Sequence, residues 1–163
     1  MFAHLLRSVS CFTPHNFQAW MYTFQISLHA RSDEVTAGGE LLRAGSDYPT
    51  LCVPNCALLA TFPYSFETVA AELASLGRLY IEPDGSFVWV SSKADLQWQV
   101  DGVLYDRDER LLFVDLKGSC PTEEFDRILT ACGWPATPVM MQLTHEAVFV
   151  DEETFRELAS ALP

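Results

Sequence analysis

The sequence predicts an α+β fold: a single domain over residues 1–163, with a mostly antiparallel or mixed sheet and three to four helices. Three observations lead there. Tyr22, Phe24, Ile26 and Leu28 alternate strictly with Thr23, Gln25, Ser27 and His29, the period of a strand with one buried face. Between Leu79 and Lys117, strand-like runs follow one another through short turns, and hairpin-linked strands favour α+β over a doubly wound parallel sheet. A chain of 163 residues suits one domain and can close a core without disulfides or metals.

The elements follow in order. Phe2, Leu5, Leu6 and Val9 have helical spacing, so residues 1–20 are expected to pack as an arm or short helix that Pro14 ends. Gly38, Gly39, Gly45 and Pro49 make residues 32–50 a loop around a short strand near Leu41. Residues 51–62 are apolar but interrupted by Pro54 and Asn55, which suggests an edge strand. Ser65 is the expected N-cap of a helix with Phe66, Val69, Ala70, Leu73 and Leu76 on one face and Gly77 just past its end. A hairpin joins Leu79–Ile81 to Phe87–Val90 through Pro83-Asp84-Gly85. A second hairpin has arms Leu96–Tyr105 and Leu111–Lys117, with Asp106, Arg107, Asp108 and Glu109 in its turn. Pro121 and Thr122 open the next helix, Thr122 as N-cap, and Glu123, Glu124 and Asp126 complement its dipole. Val139–Leu143 and Ala147–Val150 read as strands, and Asp151 caps a closing helix carrying Phe155, Leu158 and Leu162.

Charge narrows the partners. The formal net charge is −12, which repels nucleic-acid phosphates at long range. It is also uneven: no acid precedes Asp33, so with Arg7 and Arg31 the first 32 residues carry +2 and the rest −14. The N-terminal segment is therefore expected to pack on the acidic body or on a partner. Five cysteines, an odd number in a chain of this size, fit a reduced, cytoplasmic setting better than a disulfide framework. Arg7 interrupts any apolar signal region, and no run approaches the roughly 18 apolar residues of a membrane span.

One constellation carries chemistry. Asp115 and Lys117 alternate onto one strand face, and a loop of three or five residues would set Asp101 opposite Asp115 and Gln99 opposite Lys117. Two carboxylates so placed can hold Mg²⁺, and an adjacent ammonium can orient a water. Asp101 followed by Asp115-Leu116-Lys117 resembles the core motif of the PD-(D/E)xK nuclease superfamily, and the element order over residues 65–143 is similar to that superfamily's core. The resemblance implies Asp101 and Asp115 as metal ligands, Lys117 as the catalytic lysine, and Glu67 or Glu72 as an additional acid. The same residues would also serve as an ordinary charged sheet face.

Other groups offer less. Cys11-x-x-x-His15 and Cys52-x-x-x-Cys56 are zinc-type ligands at loose spacing. Cys120 at a helix start is a nucleophile candidate if its thiol pKa is depressed there and His145 or His29 lies near. Trp89 and Trp98 are expected to stack across neighbouring strands. The leading expectation is a non-enzymatic intracellular domain that binds a protein partner or a second copy of itself, with no cofactor. The alternative is a Mg²⁺-dependent, nuclease-like phosphodiesterase.

Overall fold

The computed structural model describes residues 21–92, 94 and 96–160. The expected N-terminal arm and Leu162 lie outside these residues. The strands are β1 (Met21–Ala30), β2 (Thr36–Arg43), β3 (Ser46–Cys52), β4 (Leu79–Ile81), β5 (Ser86–Val90), β6 (Gln99–Arg107), β7 (Arg110–Pro121), β8 (Val139–Leu143) and β9 (Val148–Asp151). The helices are α1 (Phe66–Ala74), α2 (Thr122–Ala131) and α3 (Glu152–Ser160). All nine described strands form one sheet in the order β2-β3-β9-β8-β1-β7-β6-β5-β4, antiparallel at every pairing. The mostly antiparallel α+β expectation holds, with three α-helices among the described residues. No described helix is long and apolar enough to cross a membrane.

The helices all lie on one side. α1 packs on β4, β6 and β7, α2 on β1 and β7, and α3 on β1, β8 and β9. The sequence arranges this through parity. Phe24, Ile26 and Leu28 of β1, Val114 and Leu116 of β7, and Val100 and Leu104 of β6 are buried in one cluster. The same cluster takes Val69 and Leu73 from α1, Phe125, Ile128 and Leu129 from α2, and Phe155 and Leu158 from α3. Each such large apolar side chain contributes roughly 1.5–3 kcal/mol when fully buried. Phe125 stacks on Phe155 at 5.1 Å and meets Phe24 at 5.2 Å, so α2 and α3 share their packing against β1. Arg156 fastens the same two helices from outside, donating to Asp126 at 2.6 Å and to Glu152, with its guanidinium over Trp134 and Tyr22.

The caps agree in part with the sequence. Ser65 Oγ accepts from the Thr68 N–H at 3.1 Å, and Asp151 Oδ1 accepts from the Thr154 N–H at 2.9 Å. α2 is preceded by Pro121 rather than by Thr122, with no side-chain cap. Glu123 and Glu124 in its first turn complement the orphan N–H groups instead. Past α1 the left-handed residue is Arg78, with φ 66°, rather than Gly77.

Residues 36–52 correct the expected loop. They form a hairpin whose turn is Ala44-Gly45, both at positive φ (51° and 81°). Gly38 is in a strand because the chain runs close to β3: a Cβ there would lie 2.8 Å from the Leu51 carbonyl carbon. Pro49 is tolerated in β3 because that strand pairs with β9 only at Leu51↔Phe149. Residues 53–62 are not an edge strand. They hold one 3₁₀ turn, Ala57–Leu59, and the Phe62 N–H then donates to the Leu111 carbonyl at 2.8 Å.

The β6–β7 hairpin decides what shares a face. Its turn is two residues, Asp108 and Glu109, at φ 51° and 65°. That turn alone would set Asp101 opposite Leu116 and bury it. The register then shifts between Tyr105 and Asp106: Asp106 faces Leu111 and Tyr105 faces Phe113, leaving Leu112 bulged. One extra residue moves each β7 side chain to the other face. It thereby places Val100, Leu104, Val114 and Leu116 together under the helices.

Gly118 allows the two strands their close approach. Its φ is 138°, and a Cβ would lie 2.1 Å from the Gln99 carbonyl oxygen, a backbone atom with little freedom to move. Gly118→Ala is expected to cost about 3 kcal/mol or more, combining a forbidden φ with a backbone clash. Chemical denaturation of the variant measures this, and a loss below about 1 kcal/mol would show that the strand relaxes freely.

Candidate functional site

With the described helices on one side, the opposite side chains of β4 to β7 form a face that no described helix covers, arranged in rows, while at its β8–β9 end Val35, Ala57 and Met140 close a second small core. One row runs Tyr80, Val88, Asp101, Lys117, Gln25 from β4 to β1. The next runs Ser86, Val103, Asp115, Ser27, Gln142, Phe149 from β5 to β9. A third holds Tyr105, Phe113, His29 and Met140.

Asp101, Asp115 and Lys117, singled out from the sequence, therefore share a surface. Their arrangement differs from the expected one. Asp101 stands opposite Lys117, and Asp115 opposite Val103, because the two-residue turn and the bulge set the register two residues away from that of a longer loop. Both carboxylates are already engaged. Ser27 Oγ donates to Asp115 Oδ1 at 2.5 Å, and Gln99 Nε2 donates to Asp101 Oδ1 at 2.7 Å. Glu72 is elsewhere: it is exposed on α1, on the helix side, beside Tyr64, Thr68 and Arg127. Glu67 lies on the same helix. The sheet separates both from Asp101.

This donor set does not fit Mg²⁺ well. An octahedral site needs several oxygens around one point, whereas here a lysine faces one acid and a serine hydroxyl binds the other. Among the described residues no group of three or more His, Cys, Asp or Glu could hold a metal ion. Cys11 and His15 of the zinc-type set lie outside the described residues, and Cys52 and Cys56 are exposed free thiols.

Cys120 is corrected as a nucleophile candidate. It is fully buried on the helix side, and burial with Glu124 and Asp126 nearby pushes its thiol up to about 12 rather than down. His29 projects from the other face of the sheet. Trp89 and Trp98 do meet, edge to face at 5.1 Å, but Trp89 is buried.

Sequence reasoning missed the aromatic residues around the charged centre. Tyr80 is 64% exposed and Tyr105 40% exposed, both on the uncovered face. Tyr105 has the same parity as Asp101 along β6, which was the available signal.

No protein-family model, curated protein or solved structure matches the chain.

The third row contains a buried titratable group. Phe113 stacks on Tyr105 at 4.4 Å and on His29 at 5.2 Å, and Phe149 meets His29 edge-on at 5.5 Å. Neither ring nitrogen of His29 has a hydrogen-bond partner in the structure. Burial lowers the imidazole from its ordinary 6.5 to about 4, against a smaller upward pull from Asp115. Below pH 6.5 the unfolded chain takes up a proton that the folded chain refuses. Stability is thus lost as pH falls from about 6.5 to about 4, by about 3 kcal/mol from this group. His29→Phe is expected to remove that part of the acid sensitivity. Denaturant unfolding of both proteins at pH 7 and pH 4 measures it, and equal losses would rule out the buried imidazole as the source.

Proposed function

We propose that this chain is a non-enzymatic binding domain and that the uncovered sheet face receives a protein partner. One observation carries the reading: exposed Tyr80 and Tyr105 flank Asp101 and Lys117 on a face that no described helix covers. Tyrosine offers a large contact area at little entropic cost, and anchors of this kind dominate protein interfaces when surrounded by polar groups. The partner is a different protein or a second copy of this chain. The setting proposed is a cytoplasmic, reducing one, which the free thiols of the described cysteines, Cys52, Cys56, Cys120 and Cys132, support. The single-domain organisation expected from the length belongs to the same proposal.

A second reading keeps the nuclease-like chemistry, on the strength of Asp101, Asp115 and Lys117 sharing one face. It is weaker because Glu72 lies across the sheet and both carboxylates already accept hydrogen bonds.

Two measurements separate these readings. A photo-cross-linking amino acid placed at position 101 is expected to give a discrete protein adduct in cells, and the same group at position 72 none. Tyr105→Ala should weaken the captured complex about tenfold, the effect of losing one anchor. Adducts of equal yield from both positions would sink the face assignment.

Thermal unfolding with Mn²⁺ or Mg²⁺, on the native chain and on Asp115→Asn, tests the other reading. On the binding-domain proposal the midpoint does not respond. A saturable rise lost in the variant would turn the assignment to metal-dependent chemistry.

A further inference from the structure

The sheet has a notch. β8 accompanies β1 only from Ile26 to Ala30, and the last bond between them runs from the Thr144 N–H to the Gln25 carbonyl at 3.2 Å. Past that point the chain turns into β9, while β1 runs on to Met21 with no described strand beside it on that edge. The opening has a volume of about 610 Å³, within the range of roughly 300–1,000 Å³ typical of small-molecule sites.

Its two ends differ chemically. The inner end is core: Phe24, Ile26, Leu143, Phe155, Leu158 and Ala159. The mouth carries Arg43, Lys117 and His145, with Thr23, Gln25 and Ser119 supplying hydroxyl and amide groups. Among the described lining residues the one acid, Glu146, is already paired with Arg43 at 3.4 Å, and Asp101, opposite Lys117 on β6, is engaged by Gln99. Lys117 has no ion-pair partner among the described residues. The chain has ten Lys and Arg against 22 acids and only two lysines, so a basic mouth over an apolar floor runs against its overall charge.

We infer that this notch binds an amphiphile with one anionic head, a carboxylate or phosphate, and an aliphatic tail. The head sits by Lys117, Arg43 and the Gln25 amide, and the tail lies in the notch along the open edge of β1, toward Leu143 and Leu158. Removing that tail from water supplies affinity, and the ammonium supplies selectivity for a charged head. Residues 1–20, which join β1 at this end, are the competing occupant. Their Arg7 and complete lack of acids match a cationic mouth poorly.

The test uses the full chain with decanoate and decyl phosphate below their micellar concentrations. Decanol and inorganic phosphate serve as controls, with thermal unfolding and calorimetry as readouts. One or both anionic amphiphiles should raise the midpoint saturably and bind at least tenfold more tightly than either control. Their ratio tells a carboxylate site from a phosphate site. Lys117→Gln should weaken the anion at least fivefold and leave decanol unchanged. Arg43→Gln should do the same, and because Arg43 lies outside the proposed partner face, its effect stands apart from that reading. The inference fails if neither amphiphile shifts the midpoint, or if decanol binds as well as decanoate. It also fails if an amine cross-linker joins the Met1 α-amine to Lys117 in a chain that binds neither amphiphile.

Discussion

Phase is the constraint on which the rest of the structure depends. β1, β7 and β6 lie side by side, and each is apolar on only one of its two faces. The three stripes must point the same way, because a strand shifted by one residue would press Lys117 and Asp115 into Phe125 and Val69. The tight Asp108-Glu109 turn sets the wrong phase for this, and the bulged Leu112 restores it. The core and the uncovered polar face are therefore two results of one extra residue. Gly118 belongs to the same solution, since it admits the Gln99 backbone at a distance no side chain would permit.

Much of this was legible in the sequence, for definable reasons. β1 alternates cleanly, Ser65 and Asp151 bring their own capping oxygens, and the β4–β5 turn carries Pro83-Asp84-Gly85. Local chemistry suffices in each case. The β2–β3 hairpin was not legible because its signals contradict its state. Gly38 serves close strand approach rather than a loop, and Pro49 sits where β3 has almost no partner on its β9 side. The 53–62 segment is apolar because Ala57 and Phe62 are buried in passing, without being strand.

The candidate site was legible by residue and not by geometry. Alternation correctly placed Asp115 and Lys117 together, and Asp101 joined them. Which residue faces which depended on a turn length and a bulge that the hairpin's sequence does not announce. Glu72 was a matter of sidedness: its helix follows the chain near the Asp-bearing strands, yet Val69 and Leu73 carry it onto the opposite face. Cys120 shows the same gap. A position beside a helix start suggests an activated thiol, but complete burial outweighs the helix dipole.

The order of strands in the sheet also has a meaning in time. β1 is the first of the described strands and stands near the middle of the sheet, between β7 and β8. Its neighbours, Arg110–Pro121 and Val139–Leu143, are made much later. At cellular rates of translation, Tyr22, Phe24, Ile26 and Leu28 wait on the order of ten seconds before the first of those partners leaves the ribosome. During that interval the future centre of the core is an unpaired apolar strand, and no hairpin of its own can shelter it. The loops that must close before β1 is paired span most of the described chain, the topology associated with slow folding and with reliance on chaperones. A strand that is secure in the finished sheet is thus the most exposed segment of the nascent one.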